Sequence, residues 1–342
     1  MRTDELDYEL PDEAIAQTPA EPRDSARLLV DRGPAAPPED ATVRDLPGLL
    51  QPGDLVVVND TRVLPARVEV VRAGGGRGEV LLLEERDGGW WQALCRPSRK
   101  LRAGEVVQSA VQGLAFEMGG EEGGTRLVRP IHDEPLTEVL ERVGQMPLPP
   151  YITRRLTDAD RYQTVFAQRP ASAAAPTAGL HLTDRVLDGL RARGIELARV
   201  ELVVGLDTFR PIAAEVVEEH DIHSERYHVP ADARAALERC RQRGGRVVAV
   251  GTTTVRALES HAATGQAEGR TRLFITPGYQ FRVVDVLMTN FHLPRSSLLA
   301  MIHAFVGPRW RDLYATALER GYRFLSFGDA MLLERAGGDG TP

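Results

Sequence analysis

Strand and helix signals alternate along most of this chain, but between Pro65 and Ile131 six short strand-like runs at hairpin spacing replace them. The runs at 67–72, 79–85, 90–95, 105–109, 114–118 and 126–131 are separated by glycine-rich turns, of which Asp87-Gly88-Gly89 and Gly74-Gly75-Gly76 are the clearest. Such spacing predicts a small antiparallel barrel or sandwich. No helix pattern follows Gly74-Gly75-Gly76, so it reads as a hairpin turn and not as a dinucleotide loop.

On either side of this stretch the pattern is α/β. Strands are expected at 55–59, 195–204, 246–250, 272–275, 286–289 and 322–326, and helices at 184–193, 231–243, 255–262, 297–306 and 309–320. Thr183 supplies a helix N-cap and Gly194 a terminator. The fold class expected is α/β, an α/β-barrel-like main domain (1–64 plus 148–342) interrupted by a small antiparallel β-barrel domain (65–147). With 342 residues and 42% hydrophobic content there is apolar material for both.

Composition removes several functional classes. No run approaches the ~18 apolar residues of a membrane span, and the acidic opening MRTDELDYELPDE lacks the basic and apolar regions of a signal peptide. A cytoplasmic location, no membrane partner and a monomer are expected. Cys95 and Cys240 form no Cys-x-x-Cys pair, which disfavours zinc ribbons and iron–sulfur clusters. A net charge of −7 argues against a wholly basic nucleic-acid surface. Locally, however, Arg96, Arg99, Lys100 and Arg102 cluster in CRPSRKLR, either as a solvated loop or as a phosphate-binding patch.

Chemistry is concentrated in loops at strand ends. Ala174-Ala175-Pro176-Thr177-Ala178-Gly179-Leu180-His181 restricts the backbone at Pro176 and frees it at Gly179 immediately before a histidine. Gly251-Thr252-Thr253-Thr254 ends a β-branched strand and opens a helix, whose free amides suit an anion or are simply capped. Glu219-His220-Asp221-Ile222-His223-Ser224-Glu225 can carry protons, touch substrate, hold a metal or form a hydrogen-bonded turn. Asn59-Asp60-Thr61-Arg62 and Thr289-Asn290-Phe291-His292 end hydrophobic strands with polar groups, where α/β proteins place ligand contacts.

In order along the chain, GDLVVVNDTRVLPAR, GQMPLPPYI, AAPTAGLHLT, VGLDTFRPI, EHDIHSERYHV, VGTTTVRALES, LFITPGYQF, MTNFHLPRSSLLAMIHAFVG and YRFLSFGDAMLL resemble the S-adenosylmethionine:tRNA ribosyltransferase-isomerase family of queuosine biosynthesis. The resemblance implies transfer of the ribosyl part of S-adenosylmethionine to the aminomethyl group of 7-aminomethyl-7-deazaguanine at the tRNA wobble position. Epoxyqueuosine, adenine and methionine would be the products, and no metal would be required. The reaction demands a base for the proton beside the sulfonium, an acid near departing adenine, and a neutral amine nucleophile.

The resemblance puts proton transfer among His181, His220, His223, Glu225 and His292, with Asp60 or Glu259 holding the sulfonium or ribose. Thr177, Gly179, Gly205, Thr208, Gly251, Thr252, Thr253, Arg256 and Asn290 become candidate contacts to S-adenosylmethionine, with Gly251 to Thr253 and Arg256 on its carboxylate, and Phe209 either a core aromatic or a stack for a base. Arg96, Arg99, Lys100 and Arg102 become candidates for tRNA phosphates. Asp207, where the family pattern has glycine, leaves a different acceptor open. The competing readings are a ribosyl transferase acting on a small deazapurine, and a non-catalytic tRNA-binding relative.

Overall fold

The structure, a computed structural model, describes residues 1–122, 124–154, 156, 158–172, 174–204 and 211–336. Its strands are β1 (Arg27–Asp31), β2 (Glu39–Thr42), β3 (Leu55–Asn59), β4 (Thr61–Val63), β5 (Arg67–Val71), β6 (Arg77–Glu85), β7 (Trp91–Arg96), β8 (Val106–Ser109) and β9 (Ala115–Glu122). They continue with β10 (Thr125–Ile131), β11 (Arg169–Ser172), β12 (Glu196–Leu202), β13 (Glu225–His228), β14 (Val247–Val250), β15 (Glu268–Thr271), β16 (Val286–Asn290) and β17 (Ala330–Glu334). The α-helices are α1 (Leu46–Leu49), α2 (Leu136–Val143), α3 (Asp184–Ala192), α4 (Ala231–Gln242), α5 (Thr252–Thr264), α6 (Ser297–Val306) and α7 (Trp310–Glu319). Among the described residues no helix is long and apolar enough to cross a membrane.

Nine strands form one mixed sheet in the order β15-β13-β12-β3-β14-β16-β17-β1-β2. Its centre, β12-β3-β14-β16, is parallel. Leu55-Val56-Val57-Val58 in β3 and Val247-Val248-Ala249-Val250 in β14 are buried throughout, as parallel strands covered on both faces must be. Side chains alternate between faces: Leu55, Val57 and Ala249 pack with α4, α5, α6 and α7, while Val56, Val58, Val248 and Val250 pack with α1 and α3. Thr183 caps α3 by accepting from the Val186 amide at 3.4 Å, as its sequence position implies.

Two expected strands are placed differently. Residues 272–275 are not a strand, because the ladder against β13 is made by the preceding residues of β15. The last strand is β17 and not 322–326, since Tyr322, Phe324 and Leu325 turn inward to the aromatic core around Phe291 and Tyr314.

The six expected hairpin strands close on themselves as a barrel, β10-β7-β6-β5-β8-β9. Val68, Val70, Val80, Phe116 and Val128 fill it, and α2 packs on the same core through Val139, Leu140 and Val143. Chain entry and exit are clipped together: Arg67 and Gln145 exchange backbone hydrogen bonds of 3.2 and 2.8 Å. Gly144 is required beside them, because a Cβ there would lie 1.7 Å from the Pro65 carbonyl oxygen. The barrel touches the main sheet through Glu84 of β6, ion-paired to Arg270 of β15.

Strand direction positions the site. The C-termini of β3, β12, β14 and β16 share an edge with the N-terminus of β17, where Asn290 is paired with Ala330. The loops after those strands therefore converge, the usual location of ligand crevices in α/β sheets.

Candidate active site

Gly251 follows β14 with φ 91°, a conformation that glycine adopts without strain, and its amide is taken by the Met288 carbonyl at 2.8 Å. Thr252 and Thr253, the first residues of α5, have no intrahelical acceptor for their amides. With Gly251 they line a pocket whose empty space, including its solvent-open part, is about 610 Å³. The walls are mainly apolar, with Pro176, Phe291 and Leu298 among them, and Thr177, Asn290 and His292 supply polar groups. Thr252, Thr253 and Leu298 also line a second recess holding His223, Glu225 and Arg256. His223 and Glu225 in turn border a third, closed on its far side by Glu84, Arg86 and Gln92 of the barrel.

Arg256 is 6% exposed, and its Nη1 donates to Glu225, itself 3% exposed. Among the described residues its Nε and Nη2 are buried without a hydrogen-bond partner, as is the Thr253 hydroxyl. That Nε/Nη2 edge is the one with which arginine grips a carboxylate by two parallel bonds. Glu225 uses its other oxygen on His223 Nε2 at 2.8 Å. With the Nε2 hydrogen donated to the carboxylate, a neutral His223 carries its lone pair on Nδ1.

His181 ends the 3-10 turn Thr177–His181 and is buried, yet it does not line the main pocket. Its Nε2 accepts from the Asn290 amide at 3.0 Å. The Asn290 orientation is fixed on both sides, its Oδ1 accepting from Thr177 at 2.9 Å and its Nδ2 donating to the Asp329 carbonyl at 3.3 Å. Burial lowers the His181 pKa to about 4 and that of His292 to about 3, so both imidazoles are neutral near pH 7. His292 lines the pocket, with Nε2 3.0 Å from the Thr289 hydroxyl.

Several expected contacts lie elsewhere. Glu259 is fully buried and both its oxygens are occupied, accepting from the amides of Arg282, Val283 and Val284 at 2.9–3.1 Å and from the Tyr279 hydroxyl at 3.2 Å. It ties down a loop instead of facing a sulfonium. Gly179 is a packing residue, since a Cβ there would come within 2.9 Å of Phe166. His220 packs edge-on against Phe274 and borders none of these recesses. Asp60 follows β3 outside the pocket wall, with Oδ1 buried and unpartnered among the described residues. Burial, and then the charge of Glu201, raise its pKa. Gly205, Asp207, Thr208 and Phe209 lie outside the described residues.

Arg96, Arg99, Lys100 and Arg102 are exposed at the end of β7 and the turn after it. Arg96 lines a broad cleft between the barrel and residues 144–163, along with Arg62, Arg67 and Arg154. Tyr151, Thr289, Ser296, Leu325 and Ser326 also line the main pocket; all five lie in the motifs GQMPLPPYI, MTNFHLPRSSLLAMIHAFVG and YRFLSFGDAMLL, but none is among the expected contacts. Ser296 and Ser326 each follow a residue with positive φ, 54° at Arg295 and 67° at Leu325, which the sequence does not show.

A family described as Queuosine biosynthesis protein matches residues 3–333. The chain is 52% identical to the S-adenosylmethionine:tRNA ribosyltransferase-isomerase of Rubrobacter xylanophilus, over 97% of this chain and 98% of that one. It is 51% identical to the enzyme of the same name from Gloeobacter violaceus, over 97% and 95%. The crystal structure of an S-adenosylmethionine tRNA ribosyltransferase from Thermotoga maritima shares 35% identity, covers 96% of this chain and 99% of its own, and superposes with a TM-score of 0.56.

Proposed function

This chain belongs to the queuosine biosynthesis protein family, and we propose on that premise that it is an S-adenosylmethionine-dependent tRNA ribosyltransferase-isomerase. The acceptor in this reading is the 7-aminomethyl group of 7-aminomethyl-7-deazaguanine at the tRNA wobble position, and the products are epoxyqueuosine-tRNA, adenine and methionine.

The observation that carries this reading is the unpartnered, buried Nε/Nη2 edge of Arg256 beside the open end of α5 and the unpartnered Thr253 hydroxyl. Leaving such donors dry and unpaired costs folding free energy, on the order of 1–3 kcal/mol per group, which a ligand carboxylate recovers. An amino-acid carboxylate at that point lets the rest of S-adenosylmethionine extend along the apolar pocket, with the ribose beside Asn290, Thr177 and His292. His223, oriented by Glu225, is then the base for the proton beside the sulfonium. His181 holds Asn290 and thereby the Thr177 loop, so its role is positioning. Asp60 remains a candidate proton carrier from outside the wall, its carboxyl held above the ordinary value.

The acceptor approaches through the recess between His223 and the barrel. Residues 65–147 act as a domain that, with Arg96, Arg99, Lys100 and Arg102, steers tRNA onto an otherwise acidic protein. The test is incubation with S-adenosylmethionine and tRNA carrying 7-aminomethyl-7-deazaguanine, followed by mass analysis of the nucleoside. The expected result is the epoxyqueuosine mass together with one adenine and one methionine per turnover. An unchanged nucleoside with folded protein and intact donor overturns it. Modification of the free base alone supports a small-deazapurine enzyme, and binding without adenine release supports a non-catalytic relative.

A further inference from the structure

Among the described residues, two titratable side chains line the main pocket, His292 and Tyr151. They differ in what they can give a leaving group. His292, at about 3, is neutral near pH 7, so it cannot act as an imidazolium acid and has a single N–H to donate. The Tyr151 phenol is pushed well above its ordinary value by burial and keeps its hydrogen.

Its surroundings fix it from two sides. Ser326 Oγ lies 2.7 Å from the phenol oxygen and the Ser326 backbone supports the same atom. Ser326 is presented by Leu325, which holds φ 67°, a strained conformation for a residue with a side chain. The Gln17 amide donates to the Tyr151 carbonyl at 2.9 Å and its oxygen accepts from the Thr153 amide at 2.9 Å, so the turn carrying Tyr151 is pinned as well. Where Ser326 is the donor, the phenol can turn its own hydrogen toward a ligand in the pocket, and the bond it accepts polarises it.

The pocket also has a direction. Thr252, Thr253 and Leu298 open it toward Arg256, whereas Ser326 opens it toward a different recess lined by Arg23, Arg161 and His181. A donor with its carboxylate at Arg256 therefore presents its purine to the Tyr151–Ser326 end.

We propose that the Tyr151 hydroxyl, held by Ser326, donates a hydrogen bond to a ring nitrogen of the departing adenine. The step rests on the S-adenosylmethionine reading above. As the ribosyl carbon–nitrogen bond breaks, its electron pair passes into the purine, and the phenol stabilises the charge that develops there. The purine takes its proton from solvent on release, and Tyr151 keeps its own.

The test pairs Tyr151→Phe with donors whose purine N7 or N3 is replaced by C–H, reading purine release in the presence of acceptor tRNA. With the natural donor, Tyr151→Phe is expected to lower kcat about ten- to a hundredfold, with KM for S-adenosylmethionine and the melting temperature little changed. Removing the bonded nitrogen is expected to slow wild type by a similar factor and to cost the variant almost nothing more. Ser326→Ala is expected to show the same non-additivity at smaller amplitude, and it carries the test if Tyr151→Phe fails to fold. Losses that multiply independently with both analogues overturn the role of Tyr151 while leaving the reaction intact. A wild type that releases no adenine from S-adenosylmethionine overturns both.

Discussion

Replacing Arg256 by lysine separates ligand binding from folding at the candidate carboxylate site. Arg256 gives Nη1 to Glu225 and keeps Nε and Nη2 unpartnered. Alanine would remove the buried half of the Arg256–Glu225 ion pair, in which Glu225 is 3% exposed, at a cost of about 3–5 kcal/mol, and any activity loss would be confounded by unfolding. Lysine keeps a positive charge against Glu225 but cannot present two parallel donors. Each charge-assisted bond contributes roughly 1.5–3 kcal/mol. If lysine recovers one of the two, S-adenosylmethionine binding weakens by that amount, about 10- to 150-fold in Kd. The assay is calorimetric titration of wild type and Arg256→Lys with S-adenosylmethionine and with its decarboxylated analogue, alongside thermal melts. Wild type should prefer the carboxylated donor by both bonds, about 10²- to 10⁴-fold, and the variant should lose about 10- to 150-fold of that preference with a change in stability of only about 1 kcal/mol. A variant that binds both donors more weakly but keeps the full preference would refute the carboxylate assignment.

Glu259→Gln should cost about 2–3 kcal/mol in urea melts with KM for S-adenosylmethionine unchanged, because an amide nitrogen cannot accept the backbone hydrogen bonds that the carboxylate accepts; a raised KM at unchanged stability would return Glu259 to the site. Acid sensitivity follows from His181 at about 4 and His292 at about 3, both depressed from an ordinary 6.5 by burial. As pH falls, the unfolded chain takes up these protons first. The stabilisation is therefore complete above about pH 6.5 and lost on the way down to 4, at about 1.36 kcal/mol per pH unit from each imidazole. Urea midpoints at pH 7, 6 and 5 should fall accordingly, and His292→Gln should remove about half the slope. Neutralising Arg96, Arg99 and Lys100 to glutamine should lower the slope of log Kd for tRNA against log salt by about one for each phosphate that no longer meets a cation, measured by filter binding; an unchanged slope places the tRNA backbone on another surface.

Much of the fold was legible because its signals are local. Leu55-Val56-Val57-Val58 can only be a strand buried on both faces, and its observed bounds match the expected ones. The barrel was legible from turn chemistry at Gly74-Gly75-Gly76 and Asp87-Gly88-Gly89, which set hairpin spacing before any pairing between strands exists. The expected strands at 272–275 and 322–326 carry suitable residues, but which segment pairs is a competition among neighbours. There β15 and β17 won.

The site divides along the same line. Sequence alone pointed to Gly251-Thr252-Thr253, Thr289-Asn290 and the turn from Pro176, loop chemistry written in consecutive residues, and the structure brings these segments to one pocket. It could not determine what each side chain faces. His181 and Glu259 both looked like pocket groups, yet one holds an asparagine and the other three backbone amides, because their partners lie 109 and 23–25 positions away. Tyr151 and Ser326 are separated by 175 residues, and their 2.7 Å approach exists only once the sheet brings the two connecting segments together. Local propensity and periodicity act over a few residues and are therefore written in the chain. Burial, pKa and partner choice depend on atoms supplied from afar, and only the packed structure decides them.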